Sequence, residues 1–102
     1  MNERAKTILN FWFVKTSPEE RFSHNKLFDQ KIRDNFFNDY KKAINHEYDE
    51  WQNNHKECLA LIIILDQFSR NLFRNNSRAF SMDEKAKLIV KEAIKFSYIQ
   101  KF

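Results

Sequence analysis

The chain has 102 residues and a formal net charge of +4, and this length fits one compact domain. Hydrophobic residues make up 42% and charged residues 31%, so the chain can build a core and its composition differs from that of a disordered segment. It has no glycine and a single cysteine, which excludes an internal disulfide and disfavours tight β-hairpin turns, so an all-α fold is predicted.

The first half of the chain has the apolar spacing of helices. A first helix is predicted from Arg4 to near Lys15, with apolar positions Ile8, Leu9, Trp12 and Phe13. Ser17, Pro18 and Glu20 have the pattern of a capping box, which predicts a short helix ending near residue 22. A long amphipathic helix is predicted over residues 26–45, with apolar positions Phe28, Ile32, Phe36, Tyr40 and Ile44.

The second half begins with a run from Cys58 to Leu65 that is apolar on every face. Periodicity alone leaves a buried strand and a buried helix open for this run. A lone strand would have no partner here, so we expect a central helix from about residue 55 to residues 70–73, with neighbours on several sides. Ser81 and Glu84 have the pattern of a second capping box, which predicts a last helix to about Phe96. Its inner face is expected to comprise Ala86, Ile89, Val90, Ala93 and Ile94.

A polar cluster follows the apolar run. Asp66 comes one turn after Ile62, on a face expected to be buried, so it needs a cationic partner, and Arg70 is well placed four residues later. By the same spacing, Gln67 and Asn71 are expected to form a parallel polar column. The candidate ligand-binding residues are therefore Asp66, Gln67, Arg70, Asn71, Arg74 and Arg78.

Several functions are compatible with this cluster. A structural network between helices is favoured, because buried charges need partners. The alternative is an anionic small molecule bound by Arg70, Arg74 and Arg78, because guanidinium groups bind carboxylate or phosphate through two hydrogen bonds. Nucleic-acid binding is disfavoured, because the aromatic residues interleaved with these arginines are expected in the core: Phe68, Phe73 and Phe80.

No pattern in the sequence points to catalysis, a metal ion or a cofactor. The three histidines, His24, His46 and His55, lie in polar stretches without metal-binding spacing. No serine lies in a nucleophile elbow, and no glycine is available for a phosphate-binding loop. Burial is predicted for Cys58, Trp12 and Trp51.

The sequence shows neither a signal peptide nor an apolar run approaching the ~20 residues of a membrane span, so we expect a cytoplasmic protein without a membrane partner. Without glycine, the left-handed backbone positions are expected at Asn53-Asn54 and Asn75-Asn76.

Several motifs resemble the bacterial "domain of unknown function 924" family. They are residues 8–13, Phe28-Asp29 with Ile32-Arg33, residues 59–71 with their Asp-Gln-Phe-Ser-Arg-Asn segment, and Arg78-Ala79-Phe80 with Asp83. The resemblance covers nearly the whole chain and implies an antiparallel helical bundle similar to tetratricopeptide-repeat helix pairs, without implying an activity. Family members have glycine where Asn75 stands and proline where Ser69 stands, so we expect a left-handed Asn75 and a straighter central helix.

Members of this family usually continue through further helices, so residues 1–102 are interpreted as a single helical domain that is the N-terminal part of a longer one. The predicted function is a helical binding or interaction module without a demonstrable catalytic site, whose partner is a protein or an anionic small molecule. The alternative is an enzyme whose catalytic part lies in the missing C-terminal region.

The shortening predicts self-association. It should uncover part of the central helix, and large exposed apolar patches usually mark interfaces. We therefore expect sedimentation analysis at high micromolar concentration to show a homo-oligomer. A clean monomer would contradict this prediction.

Overall fold

The computed structural model describes residues 1–22 and 25–95. Helix α1 continues into a π-helical turn, so that residues 3–15 form one continuous helix. The short helix α2 and the long helix α3 follow, and a 3-10 turn then leads to the next helix. The bounds are α1 Glu3–Asn10, π turn Phe11–Lys15, α2 Pro18–Phe22, α3 Lys26–Ile44 and 3-10 turn Asp49–Asn53.

The second half contains the predicted central helix, residues 55–72. It is continuous but not uniform, because α4 passes through a π-helical segment into α5. A 3-10 turn precedes the last helix, α6. The bounds are α4 His55–Ile62, π segment Ile63–Phe68, α5 Ser69–Leu72, 3-10 turn Ser77–Phe80 and α6 Asp83–Lys95. No strand occurs in either described range, so the predicted all-α class is confirmed.

Polar side chains begin most of the helices. In the capping box predicted at Ser17, the Glu20 backbone N–H donates to Ser17 Oγ and the Ser17 N–H donates to Glu20 Oε1, both at 3.1 Å, so this prediction is confirmed. Three asparagines, which were not predicted as caps, accept backbone N–H bonds at the starts of α1, α3 and α4: Asn2, Asn25 and Asn54.

The second predicted capping box does not form. The Ser81 hydroxyl donates to the Arg78 carbonyl oxygen at 2.8 Å instead of accepting at the start of α6. The reason is the preceding 3-10 turn, which leaves Ser81 with helical backbone angles, whereas an N-cap serine typically has extended ones. Phe96, where this helix was expected to end, lies outside the described residues.

Within residues 1–22 and 25–95, two residues have the left-handed backbone, and one of them was predicted. Asn75 has a φ of 64°, as expected where the family has glycine. The other is His46, with a φ of 67°, where the Glu47 N–H donates to the Lys42 carbonyl oxygen and closes α3 with a Schellman motif. The prediction for Asn53-Asn54 is wrong, because neither residue has a positive φ, and Asn54 has an extended backbone as the cap of α4.

An aromatic cluster fills the centre of the core. The ring of Phe68, on the central helix, lies 5.0 Å from that of Phe36 and 5.8 Å from that of Trp12. Phe11 and Phe28 complete the cluster. Such ring contacts contribute beyond the burial of area, so these residues fix how the first helix and α3 pack on the central helix.

The central helix is enclosed as its apolar composition predicts. The first helix, α3 and α6 pack around it, and the side chains from Ala60 to Leu65 are buried except for the half-buried Ile62. A π segment occurs here although no proline is present, and the straighter course expected for this helix stays a prediction. Leu59 and Ile62 are the half-buried apolar residues of α4, and self-association through this helix stays a prediction.

The predictions for other apolar residues have mixed outcomes. Trp12, Trp51 and Cys58 are buried, as predicted, and burial raises the pKa of the Cys58 thiol to about 11, which makes it a poor nucleophile at neutral pH.

The inner face of α6 is narrower than predicted. Ile94 is 60% exposed because it lies about 100° around the helix from the buried Ala93.

A buried carboxylate joins three parts of the fold, and the sequence did not reveal it. Asp39, on α3, accepts hydrogen bonds from Arg4 Nη2 at 2.6 Å and from the Tyr48 hydroxyl at 2.7 Å. Burial and the bond to Asp39 raise the pKa of Tyr48 well above its usual range, so its hydroxyl stays protonated and continues to donate. These two hydrogen bonds to Asp39 hold the start of the first helix and the turn after α3 against α3.

None of the helices in the described ranges combines the length and apolar character that a membrane crossing requires.

The burial pattern predicts very different costs for two leucine truncations. Leu65→Ala, at a fully buried position, should lower the free energy of unfolding by about 2–5 kcal/mol, because it leaves a cavity. Leu88→Ala, at a position that is 62% exposed on α6, should change it by less than about 0.5 kcal/mol. Urea unfolding of both variants measures the difference, and equal costs would contradict this packing.

Candidate functional site

The predicted polar cluster forms ion pairs at the C-terminal part of the central helix. Arg70 Nη1 lies 2.8 Å from Asp66 Oδ1, so the predicted pairing is present. Arg70 Nη2 lies 3.5 Å from Asp83 Oδ2, which connects the central helix to the start of α6. The expectation of a buried Asp66 is met only in part, since its side chain is 33% exposed. Asp66 lines a cavity of about 310 Å³ together with Ile62, Arg70 and residues of α6.

Gln67 and Asn71 do not form the predicted column. Gln67 Nε2 donates to Asp66 Oδ2 at 2.6 Å, whereas Asn71 Nδ2 donates to Asp29 Oδ1 at 2.9 Å. The two amides have different partners because each donates to the carboxylate next to it: Gln67 to Asp66 on the central helix, and Asn71 to Asp29 on the adjoining α3. Helical spacing could not reveal the second of these neighbours.

Asp29 is the partner that sequence reasoning missed. Arg74 Nε donates to Asp29 Oδ2 at 2.7 Å and Arg74 Nη2 donates to Oδ1 at 2.9 Å, a two-pronged ion pair between α3 and the turn after α5. This hydrogen bonding raises the pKa of Arg74 above its usual value. The available signal was a carboxylate in the first turn of an amphipathic helix, directly after the buried Phe28.

The three arginines do not converge on one point. Arg70 and Arg74 both line a cavity of about 370 Å³, whereas the Arg78 guanidinium lies over the ring of Phe73, 4.2 Å from its centroid. Phe80 was expected in the core but is 59% exposed at the cavity, with the Arg70 guanidinium 5.2 Å from its ring centroid. A cation over an aromatic face is a favourable arrangement even at a wet surface.

Both arginines at this cavity already have carboxylate partners. An anionic ligand would compete with Asp29 for Arg74 and with Asp66 for Arg70. The geometry is that of a polar network joining α3, the central helix and α6, and anion binding here stays a prediction. One end of the network is less well satisfied, because Asp83 Oδ1 is buried without a hydrogen-bond partner among residues 1–22 and 25–95.

The two histidines in the described ranges, His46 and His55, are not gathered into a metal site. His46 Nδ1 lies 3.0 Å from Asp49 Oδ2 and 3.2 Å from Lys85 Nζ, in a small exposed ion-pair group. His55 begins α4, and His24 lies outside the described residues. In the part of the chain that the structure describes, no group of three or more His, Cys, Asp or Glu side chains could hold a metal ion.

An apolar groove lies along the first helix, and sequence reasoning missed it. We call it the N-terminal groove, and its volume is about 650 Å³. Its apolar lining residues are Met1, Leu9, Phe13, Val14 and Leu59. Phe13 is 55% and Val14 74% exposed, although Phe13 belongs to the apolar spacing from which the first helix was predicted. The available signal was the unbroken run Phe11–Val14, which is too wide for one buried helix face.

Charged side chains flank the N-terminal groove. They are Glu3, Lys6, Lys15 and Lys56. The groove therefore combines an exposed apolar centre with a mostly basic margin, whereas the cavity at Arg70 and Arg74 is surrounded by paired charges.

The Asp29–Arg74 pair should contribute to stability. Arg74→Met should lower the free energy of unfolding by about 1–3 kcal/mol, because it leaves a mostly buried carboxylate without its charged partner. Lys87→Met, which removes only the exposed pair with Glu84, is the control and should cost less than about 0.5 kcal/mol. Equal effects in urea unfolding would show that the Asp29 pair contributes no more than an exposed one.

Comparisons with known proteins place the chain in a family. A search of curated proteins finds no match. A solved structure of a protein of unknown function from Agrobacterium tumefaciens is similar, with 32% sequence identity and a TM-score of 0.92 over 97% of this chain. The match spans 56% of that protein's chain, so this chain is about half as long as that relative. The family model for a bacterial protein of unknown function (DUF924) matches residues 8–102. The chain therefore belongs to the DUF924 family, as its sequence motifs predicted.

Proposed function

We propose that this chain is a helical interaction module that binds a helical segment of another protein in the N-terminal groove. The observation that carries the proposal is the group of apolar side chains left open between the first helix and the start of α4. The carboxylates and arginines of the polar network between α3, the central helix and α6, in contrast, already bond one another and have the arrangement of structural contacts.

The exposed side chains supply a driving force for binding. Met1, Phe13 and Val14 are each more than half exposed and line one groove. Fully burying a large apolar side chain contributes about 1.5–3 kcal/mol, so covering even two of them would support a specific contact. Contiguous apolar surface with a charged margin is typical of protein interaction sites.

The shape of the groove favours a helix as its occupant. The groove follows the first helix from Glu3 to Lys15, a rise of about 18 Å, which equals about three turns of a docked helix. Residues of two packed helices line it, so a third helix could place its apolar face between them. Helices bind such grooves through side chains at i, i+3, i+4 and i+7.

Selection from a displayed library of helical peptides of about 12 residues tests the proposal. Peptides enriched on the wild-type chain should lose about 10- to 100-fold in affinity on Phe13→Asp, because a central apolar contact becomes a charge. Leu88→Asp, which places the same charge at an exposed leucine of α6 outside the groove, should leave the affinity unchanged. Thermal melting of both variants checks that they fold.

Failure to enrich any peptide, or enriched peptides that bind Phe13→Asp as tightly as wild type, would overturn the proposed function.

A further inference from the structure

Resting on the proposed function, we infer that the partner helix is acidic at its margins: an apolar stripe that enters the N-terminal groove, flanked by Asp or Glu side chains that face Lys6, Lys15 and Lys56. The charged side chains around the groove, rather than its apolar lining, indicate this chemistry of the partner.

The lysines are available for a partner. Lys6, Lys15 and Lys56 are exposed, and none forms an ion pair with a residue in the described ranges. Other cations that meet a neighbouring element have a carboxylate partner there, Arg4 with Asp39, Arg74 with Asp29 and Lys85 with Asp49. Three unpaired ammonium groups around one apolar groove therefore form a margin without intramolecular counterions.

Among the described residues, one acidic side chain, Glu3, also lines the groove. Glu3 lies in the first turn of α1, where a carboxylate is favoured by the helix dipole. The margin therefore keeps a net positive charge, and binding a complementary acidic segment would gain attraction and faster association. A basic partner segment would instead bring like charges together.

A second copy of this chain fits the groove less well. In a two-fold contact the same patch faces itself, so the lysines of one copy would meet those of the other with a single glutamate per chain to offset them.

An anionic membrane surface also fits the groove poorly. The half-buried Leu59 belongs to a groove, which a flat surface cannot fill, whereas a helix about 10 Å wide can.

Three versions of one enriched peptide test the inference. They keep its apolar face and carry Glu, Gln or Lys at the flanking positions. The Glu version should bind the wild-type chain about tenfold more tightly than the Lys version at low salt, since several exposed ion pairs of modest strength add together. The difference should shrink in high salt, because exposed pairs are screened.

A charge-reversed chain makes the test specific. In the triple variant Lys6→Glu, Lys15→Glu and Lys56→Glu, the Lys version should become the tighter binder. The control is Lys31→Glu, Lys87→Glu and Lys91→Glu, which changes the net charge equally at exposed lysines outside the groove and should preserve the original order.

The outcomes separate this inference from the proposed function. If all three peptides bind equally and Phe13→Asp still abolishes binding, the groove binds a helix but the acidic partner is wrong. If none of them binds in the groove, the proposed function fails and the inference with it. The inference is also overturned by a dimer that Phe13→Asp dissociates, or by phosphatidylserine vesicles that bind where the Glu peptide does not.

Discussion

The central helix imposes the constraint on which the rest of this fold depends. Its run from Cys58 to Leu65 is apolar on every side, and such a helix is stable in water only when neighbours cover most of its circumference. The first helix, α3 and α6 provide that cover, and the ring of Phe68 brings the aromatic residues of the first helix and α3 into one cluster. The positions of the outer helices follow from this single requirement.

Ion pairs then fix how the covering helices lie against each other. Asp39 joins the first helix to α3, Asp29 joins α3 to the turn after α5, and Arg70 joins the central helix to Asp83 of α6. A partly buried carboxylate that loses its partner is costly, so each contact disfavours alternative packings of the same apolar faces. The residues that look most like a binding site in the sequence are, in space, occupied with these contacts.

The unsatisfied surface lies elsewhere, at the N-terminal groove. The first helix carries more apolar side chains than one buried face can accept, so Ile8, Phe11 and Trp12 pack inward while Phe13 and Val14 remain outside. Because the lysines around them are also unpaired, the groove has both apolar and charged groups available for a partner. Interaction surfaces have this combination, whereas the arginines of the polar network already pair with carboxylates of the chain.

The helices, the family and much of the core could be predicted from the sequence, because apolar periodicity and local caps are properties of neighbouring residues. The Ser17 capping box, the left-handed Asn75 and the Asp66–Arg70 pair were predicted, and each involves positions at most four residues apart. Which apolar faces are covered and which distant charges meet depends instead on how the helices pack together. Asp29 and Arg74 are separated by 45 positions, and their contact depends on how α3 packs against the central helix. Phe13 and Trp12 are adjacent and equally apolar, yet one is exposed and the other buried, because the neighbouring helices cover one face of the first helix.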